Sequence, residues 1–268
     1  MLYLVATPIG NLKEITHYAL EILNSVDYIL CEDTRTSMVL LNHYDIKKPL
    51  FSYHKFNEKS EAGKVVNDLK SGKNIALISD AGMPGISDPG AILVNECIAN
   101  EVEYTVISGA SALINAFVMS GMPTPFTFIG FLPDKKSEAK KLLEEYKTYK
   151  SSLIFYVAPH DLKDKISLLH SILGDRKAVA VREISKKFEE KVFFNLKDGY
   201  TSTVKGEFVV IIEGNYEVKQ STLTIVEEVS KLIESGVDKN TAIKEVAHNR
   251  GLKKNDVYQE FLNKTNEK

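Results

Sequence analysis

Cysteine and long apolar runs are what this chain has least of. Two cysteines, Cys31 and Cys97, in 268 residues build no disulfide framework and no C-x-x-C spacing for a structural metal, so a reducing, cytoplasmic compartment is expected. No apolar run reaches the ~18 residues of a spanning helix. The apolar start, Leu2 to Ala6, has no basic lead-in and is too short for a signal peptide. A soluble intracellular protein without a membrane partner is therefore expected. Absent too are G-x-G-x-x-G, G-x-x-x-x-G-K-[ST] and H-E-x-x-H, which leaves Rossmann, P-loop and zinc readings without support; no metal is expected. Six histidines are scattered without ligand spacing, only His54 and His160 standing beside loops. A formal net charge of −2 gives no global sign of a nucleic-acid partner, so any such partner must be met by a local patch.

What is present is globular. Hydrophobic content of 44% and charged content of 26% exclude disordered and fibrous classes, and the length allows one large domain or two medium ones. The organising stretch is Leu77 to Gly90. Ile75 to Ile78 read as a buried strand that runs into Ser79-Asp80, after which the chain spends three glycines and two prolines in nine residues, Gly82 to Gly90. Glycine lets the backbone approach a ligand closely, proline stiffens the bend, and Asp80 and Asp88 place carboxylates at the carboxyl edge of a sheet. A tight turn without a ligand is the plainer alternative.

Similar transitions occur at Leu2–Ala6 into Thr7-Pro8-Ile9-Gly10-Asn11, and at Tyr104–Ile107 into Ser108-Gly109-Ala110-Ser111-Ala112. Strand Tyr28–Cys31 delivers the polar run Glu32 to Ser37. Helical spacing between these strands, at 15–23, 60–70 and 91–100, implies a mostly parallel α/β sheet whose strand ends face one crevice. If Glu32 and Asp33 continue their strand they point to opposite faces. Arg35 either pairs with a carboxylate or binds a phosphate.

A second set of strands is expected at 126–131, 153–157, 178–181 and 208–212, with helices at 137–149 and 162–173. The lysine-rich face of the first helix reads as solvated. From Leu223 the pattern is all helical, at 223–234, 240–249 and 254–262. Residues Lys239 to Lys254 hold five basic side chains against one acid, Glu245. This segment reads either as a helix-turn-helix-like appendage with a basic patch for nucleic acid or as a docking hairpin. The expected parts are 1–120, 121–220 and 221–268.

Taken jointly, Leu4 to Leu12, Cys31 to Arg35, Ile78 to Pro84 with Ser87 to Gly90, and Gly130 to Pro133 resemble the signatures of the tetrapyrrole methylase superfamily, in particular its branch acting on ribosomal RNA. Phe155-Tyr156, Val181 to Lys186 and Lys205 to Glu207 extend the match. Ser108-Gly109 stands where the family usually has Pro-Gly.

The resemblance implies two α/β/α domains with S-adenosylmethionine in the cleft between them, a small C-terminal helical appendage, and a homodimer. It further implies methylation of a cytidine ribose 2′-oxygen in the decoding region of small-subunit (16S) rRNA; a tetrapyrrole-like small molecule is the alternative acceptor. By position it assigns Pro8, Gly10, Ser79, Asp80, Gly82, Met83, Ser111, Ala112, Val157 and Ile184 to the cofactor. Glu32, Asp33, Arg35, Glu183 and Lys186 become the catalytic candidates, and Arg250, Lys253 and Lys254 the candidates for gripping RNA.

Overall fold

The computed structural model describes residues 1–216 and 223–265. They fall into two compact units, Met1–Gly214 and Asn215–Lys268. The expected boundary between residues 220 and 221 lies outside the described residues.

The larger unit begins with β1 (Leu2–Val5), α1 (His17–Ser25), β2 (Tyr28–Cys31), α2 (Thr34–His43) and β3 (Leu50–Ser52). It continues through α3 (Glu58–Lys70), β4 (Ile75–Ile78), α4 (Ala91–Ala99) and β5 (Tyr104–Ile107). The five strands form one all-parallel sheet in the order β3-β2-β4-β1-β5. Every residue of β2 and β4 is buried, as continuous apolar runs require of central strands covered on both faces. Helices α3 and α4 close one face over Leu4, Leu30 and Leu77; α1 and α2 close the other over Val5, Ile29 and Ile78.

This arrangement sets the site. The helix after β1 leaves to one face and the helix after β4 to the other, so the adjacent β1 and β4 form a switch point whose carboxyl ends open a crevice. The register aligns Val5 with Ile78 and Ile107, and Cys31 with Ile78. The four chain segments that follow therefore leave from one edge.

Then come α5 (Ala112–Ser120), β6 (Phe126–Phe131), α6 (Lys136–Tyr146), β7 (Ser152–Val157), α7 (Leu162–Leu173), β8 (Lys177–Arg182), β9 (Glu190–Asn195) and β10 (Phe208–Ile212). The order is β6-β7-β10-β8-β9, and only β6 and β7 run parallel. The parallel expectation thus describes the first sheet, while the second is mixed because β8, β9 and β10 reverse direction against their neighbours. Helix α5 packs Leu113, Ala116 and Phe117 onto Ile154, Val179, Val209 and Ile211 of the second sheet, with Ile9 and Ile184 in the same cluster. The two sheets therefore share a core.

The smaller unit comprises α8 (Ile225–Glu234), α9 (Lys239–Arg250) and α10 (Lys254–Thr265) around Val229, Ile243, Val246, Val257 and Phe261. A capping box between Thr224 and Glu227 starts α8.

Candidate active site

The loops after β1 and β4 are tied together before they reach any ligand. Thr7 and Gly82 exchange both backbone hydrogen bonds, at 2.8 and 3.1 Å, and the Thr7 hydroxyl donates to the Ser79 carbonyl at 3.1 Å. The buried Ser79 hydroxyl donates to the Gly82 carbonyl at 3.2 Å. Two hollows open on this braced rim. One, of about 390 Å³, runs between the sheets; Asp80, Gly82, Met83, Ser111, Ala112, Val157 and Ile184 line it, seven of the ten residues assigned to the cofactor. The other, of about 520 Å³, is bounded by Thr7, Pro8, Leu12, Asp33, Arg35 and Val39. Asp80 faces both.

Gly10 and Ser79 are not among the lining residues. At Gly10 a Cβ would stand 2.6 Å from the Ile184 carbonyl oxygen and 2.6 Å from Lys186 Cγ. The glycine is thus what lets the β1 loop close onto the loop after β8.

Electrostatics at the rim are one-sided. Burial, then repulsion from Asp80, raises the Glu32 carboxyl, with Lys55 and His54 opposing. Burial, then the Asp33 charge, raises Asp80, although Asp80 Oδ1 accepts the Asp33 backbone N–H at 3.1 Å. Asp88 is pushed up to about 7 by burial first and then by Glu32 and Asp80. Among the described residues no group of three or more His, Cys, Asp or Glu side chains could hold a metal ion. Facing a cavity with apolar walls at Ile9, Phe131 and Val209, this crowding of carboxylates suits an organic cation.

Asp33 has a different position from the one its sequence context suggests. The strand stops at Cys31, and Asp33 caps α2, accepting the Arg35 N–H at 2.8 Å. It also takes Arg35 Nε at 3.1 Å and Nη2 at 2.6 Å. Those Arg35 bonds hold its carboxyl down at about 2. Arg35 keeps 89% of its side chain exposed at the mouth of the larger hollow.

From the second sheet, Lys186 Nζ bridges Glu183 at 3.0 Å and Glu207 at 2.9 Å, and Glu207 lines the cofactor-sized cavity. Burial works to raise Glu183, but hydrogen bonds from Lys186 and the Glu207 N–H bring it below its ordinary value. Glu183 and Ser185 hold left-handed backbone (φ 51° and 63°), and a Cβ at Gly206 would collide with the Glu183 carboxyl. Local strain is tolerated here to present this network to the cleft.

Glu207, Tyr156, Phe131 and Asp88 also line the cavity and were not among the assigned site residues. Asp88 could have been found from its place in the glycine-proline loop, and Glu207 from its place after Lys205-Gly206.

The raised Asp88 carboxyl makes stability depend on pH. Its folded-state value lies above that of an unfolded Asp, so between pH 4 and 7 the unfolded chain ionises while the fold retains the proton. Stability must then fall across that window. Asp88→Asn is expected to exceed the unsubstituted protein by about 1–2 kcal/mol at pH 8, the partly exposed carboxyl being screened, with the gap closing near pH 4. Thermal unfolding across pH checks this; a pH-independent gap rules it out.

In the smaller unit, Lys253 and Lys254 are exposed at the start of α10. The Arg250 side chain, 22% exposed, instead pairs with Glu228 at 2.7 Å and donates to the Leu223 carbonyl.

Fold and site together define a two-sheet α/β enzyme with a carboxylate-rimmed cleft between its parallel and mixed sheets. The model of the Tetrapyrrole (Corrin/Porphyrin) Methylases matches residues 1–198, and the chain belongs to that family. It is 44% identical over 268 residues to the ribosomal RNA small subunit methyltransferase I of Halalkalibacterium halodurans, covering 96% of this chain and 93% of that one. The protein of the same name from Mycoplasmopsis pulmonis is 46% identical over 214 residues, 78% of this chain and 96% of its own length. Among solved structures, the methyltransferase CobJ superposes with a TM-score of 0.62 at 16% identity, covering 80% of this chain and 94% of that one. Uroporphyrin-III C-methyl transferase from Thermus thermophilus, complexed with S-adenyl homocysteine, superposes with a TM-score of 0.57 at 15% identity, over 78% and 96% of the two chains. These two likenesses establish the fold.

Proposed function

We propose that this chain methylates the 2′-oxygen of a cytidine ribose in the decoding region of small-subunit (16S) rRNA, using S-adenosylmethionine. The observation that carries the proposal is the meeting of two hollows at one carboxylate, Asp80, in a chain whose relatives bear the name of a small-subunit rRNA methyltransferase. The cavity between the sheets has a volume suited to a small-molecule cofactor, and its carboxylates suit a cationic sulfur.

Bound in this cavity, S-adenosylmethionine would supply an electrophilic methyl carbon for direct displacement by the ribose oxygen, the bonding pair staying on sulfur, and alignment would provide much of the acceleration. The chain does the rest. Asp80, Gly82, Met83, Ser111, Ala112, Val157 and Ile184 hold the cofactor, while Gly10 and Ser79 shape the loops around it. Pro8 faces the larger hollow, which receives the acceptor nucleotide, with Arg35 at its rim for a phosphate. Glu32 accepts the hydroxyl proton. Asp33 orients Arg35, and Glu183 and Lys186 close the cleft from the second sheet.

The working parts are 1–120, 121–220 and 221–268, with α5 joining the first two. The enzyme acts in the cytoplasm as a homodimer, a reading supported by exposed Tyr104 and Val106 on edge strand β5 and by Ile114 and Val118 one turn apart on α5. A monomer mass in light scattering would remove the dimer.

The helical unit assists RNA binding. Lys253→Ala with Lys254→Ala is expected to weaken RNA binding and reduce its salt slope by about two, leaving cofactor affinity unchanged. Filter binding across salt checks it; an unchanged slope removes the contact.

The deciding experiment transfers labelled methyl to unmodified small ribosomal subunits, followed by alkaline hydrolysis. A methylated 2′-oxygen cannot attack its own phosphate, so label in an alkali-resistant dinucleotide is expected. Label in mononucleotides would move the methyl to a base; no label despite cofactor binding would favour a small-molecule acceptor.

A further inference from the structure

Two loops carry the same unexplained dipeptide. Lys55-Phe56 follows β3 of the first sheet and Lys187-Phe188 follows β8 of the second. Phe56 is 85% exposed and Phe188 63%, rings left in water although burial would stabilise them. Over each stands its lysine ammonium, 5.0 Å from the Phe56 centroid and 5.6 Å from that of Phe188. We propose that Phe56 and Phe188 are stacking platforms for unpaired RNA bases on the two sides of the active-site mouth, their lysines meeting the adjoining phosphates.

This inference rests on the reading of the chain as an rRNA methyltransferase. The position of the platforms follows from their neighbours. Strand β3 pairs in parallel register with β2, Ser52 beside Cys31, so the loop holding Phe56 leaves the sheet at the same edge as Glu32 and Asp33; Lys186, beside Lys187, pairs with the cavity-lining Glu207. Both loops are tied down. The His54 N–H donates to Asn57 Oδ1 at 2.8 Å and Asn57 Nδ2 to the Ser52 carbonyl at 3.0 Å. The Ser185 N–H donates to Glu189 Oε2 at 2.7 Å, and the Glu189 N–H returns to the Lys186 carbonyl at 3.2 Å. A rigid aromatic face beside a cation is the chemistry of single-strand binding, since every base has a π-face and every nucleotide a phosphate. A paired duplex would offer no base to such rings.

The chain has no tryptophan, so Phe56→Trp and Phe188→Trp each create a lone fluorescent reporter. Adding an unpaired RNA oligonucleotide, or unmodified small subunits, is expected to quench each reporter saturably. Phe56→Ala and Phe188→Ala are each expected to raise KM for rRNA about tenfold, with kcat and S-adenosylmethionine affinity unchanged. Emission indifferent to RNA, or alanine variants with ordinary KM, overturns the proposal. Emission that follows protein dilution instead of RNA also overturns it, assigning the rings to contact between copies of the chain. Failure of the parent reading shows separately, as no methyl transfer to rRNA by the unsubstituted protein, and would overturn both.

Discussion

Asp80→Ala is expected to weaken S-adenosylmethionine binding ~100-fold or more, as two lost charge-assisted hydrogen bonds would, without lowering the melting temperature of the cofactor-free protein. Asp80 borders both hollows and takes one internal hydrogen bond, from the Asp33 N–H. Removing it costs that bond, but it also relieves repulsion that Asp80 exerts on Glu32 and Asp88, so the two effects on stability oppose each other. A bound cation reverses the balance, because a carboxylate held in a partly desolvated rim gains most when a positive group arrives. Asp80→Asn separates charge from shape: it retains an acceptor for Asp33 while removing the charge. If the charge acts on sulfur, Asp80→Asn weakens S-adenosylmethionine more than S-adenosylhomocysteine, whose sulfur is neutral. Titration calorimetry with both ligands is the measurement; ordinary affinity for both in a folded Asp80→Ala protein would end the assignment.

The crevice is legible in sequence because its determinants are local. A four-residue apolar run such as Ile75 to Ile78, too short for a helix and followed at once by glycines and prolines, reads as a covered strand entering a bent loop, so the carboxyl edge and Asp80 follow without tertiary knowledge. Helix α2 is not legible in the same way. It opens on Thr34-Arg35-Thr36-Ser37 and leaves Met38 and Val39 exposed, so no apolar stripe announces it; its start is fixed by the Asp33 side chain. Strand β9 escapes for a related reason. At the edge of its sheet, with Glu190 and Lys191 at its start, it is defined by pairing with β8. The mixed directions of the second sheet depend on long-range pairing too. The least legible property is charge coupling. Glu32 and Asp88 are 56 positions apart in sequence, and only the fold makes each feel the other.

Glu32→Gln is expected to lower kcat by about 100- to 10,000-fold, the loss typical of a proton acceptor, with S-adenosylmethionine affinity nearly unchanged. Three carboxylates compete for the role. Asp33 is committed to the α2 cap and to Arg35, which hold it at about 2, so it is too weak a base. Asp88, pushed up to about 7, is a strong enough base but lines the cavity assigned to the cofactor. Glu32 is raised above an ordinary glutamate and lines neither hollow itself, but it follows β2 directly before Asp33, which bounds the acceptor one. Its raised value makes it a better base than a solvated carboxylate, and the acid limb of the kcat profile should lie correspondingly above the ordinary glutamate range. In Glu32→Gln that limb should vanish from the residual rate. The variant carries its own control for an intact site: without the Glu32 charge, Asp88 ionises more readily, so the stability lost between pH 4 and 7 should shrink. Asp33→Asn, by contrast, keeps an Oδ1 acceptor for the α2 cap and loses only the charge facing the exposed Arg35, so it should leave the melting temperature and most of kcat nearly unchanged. Should Glu32→Gln keep kcat within threefold while Asp33→Asn abolishes it, the proton acceptor is Asp33, and Arg35 must release it when RNA binds.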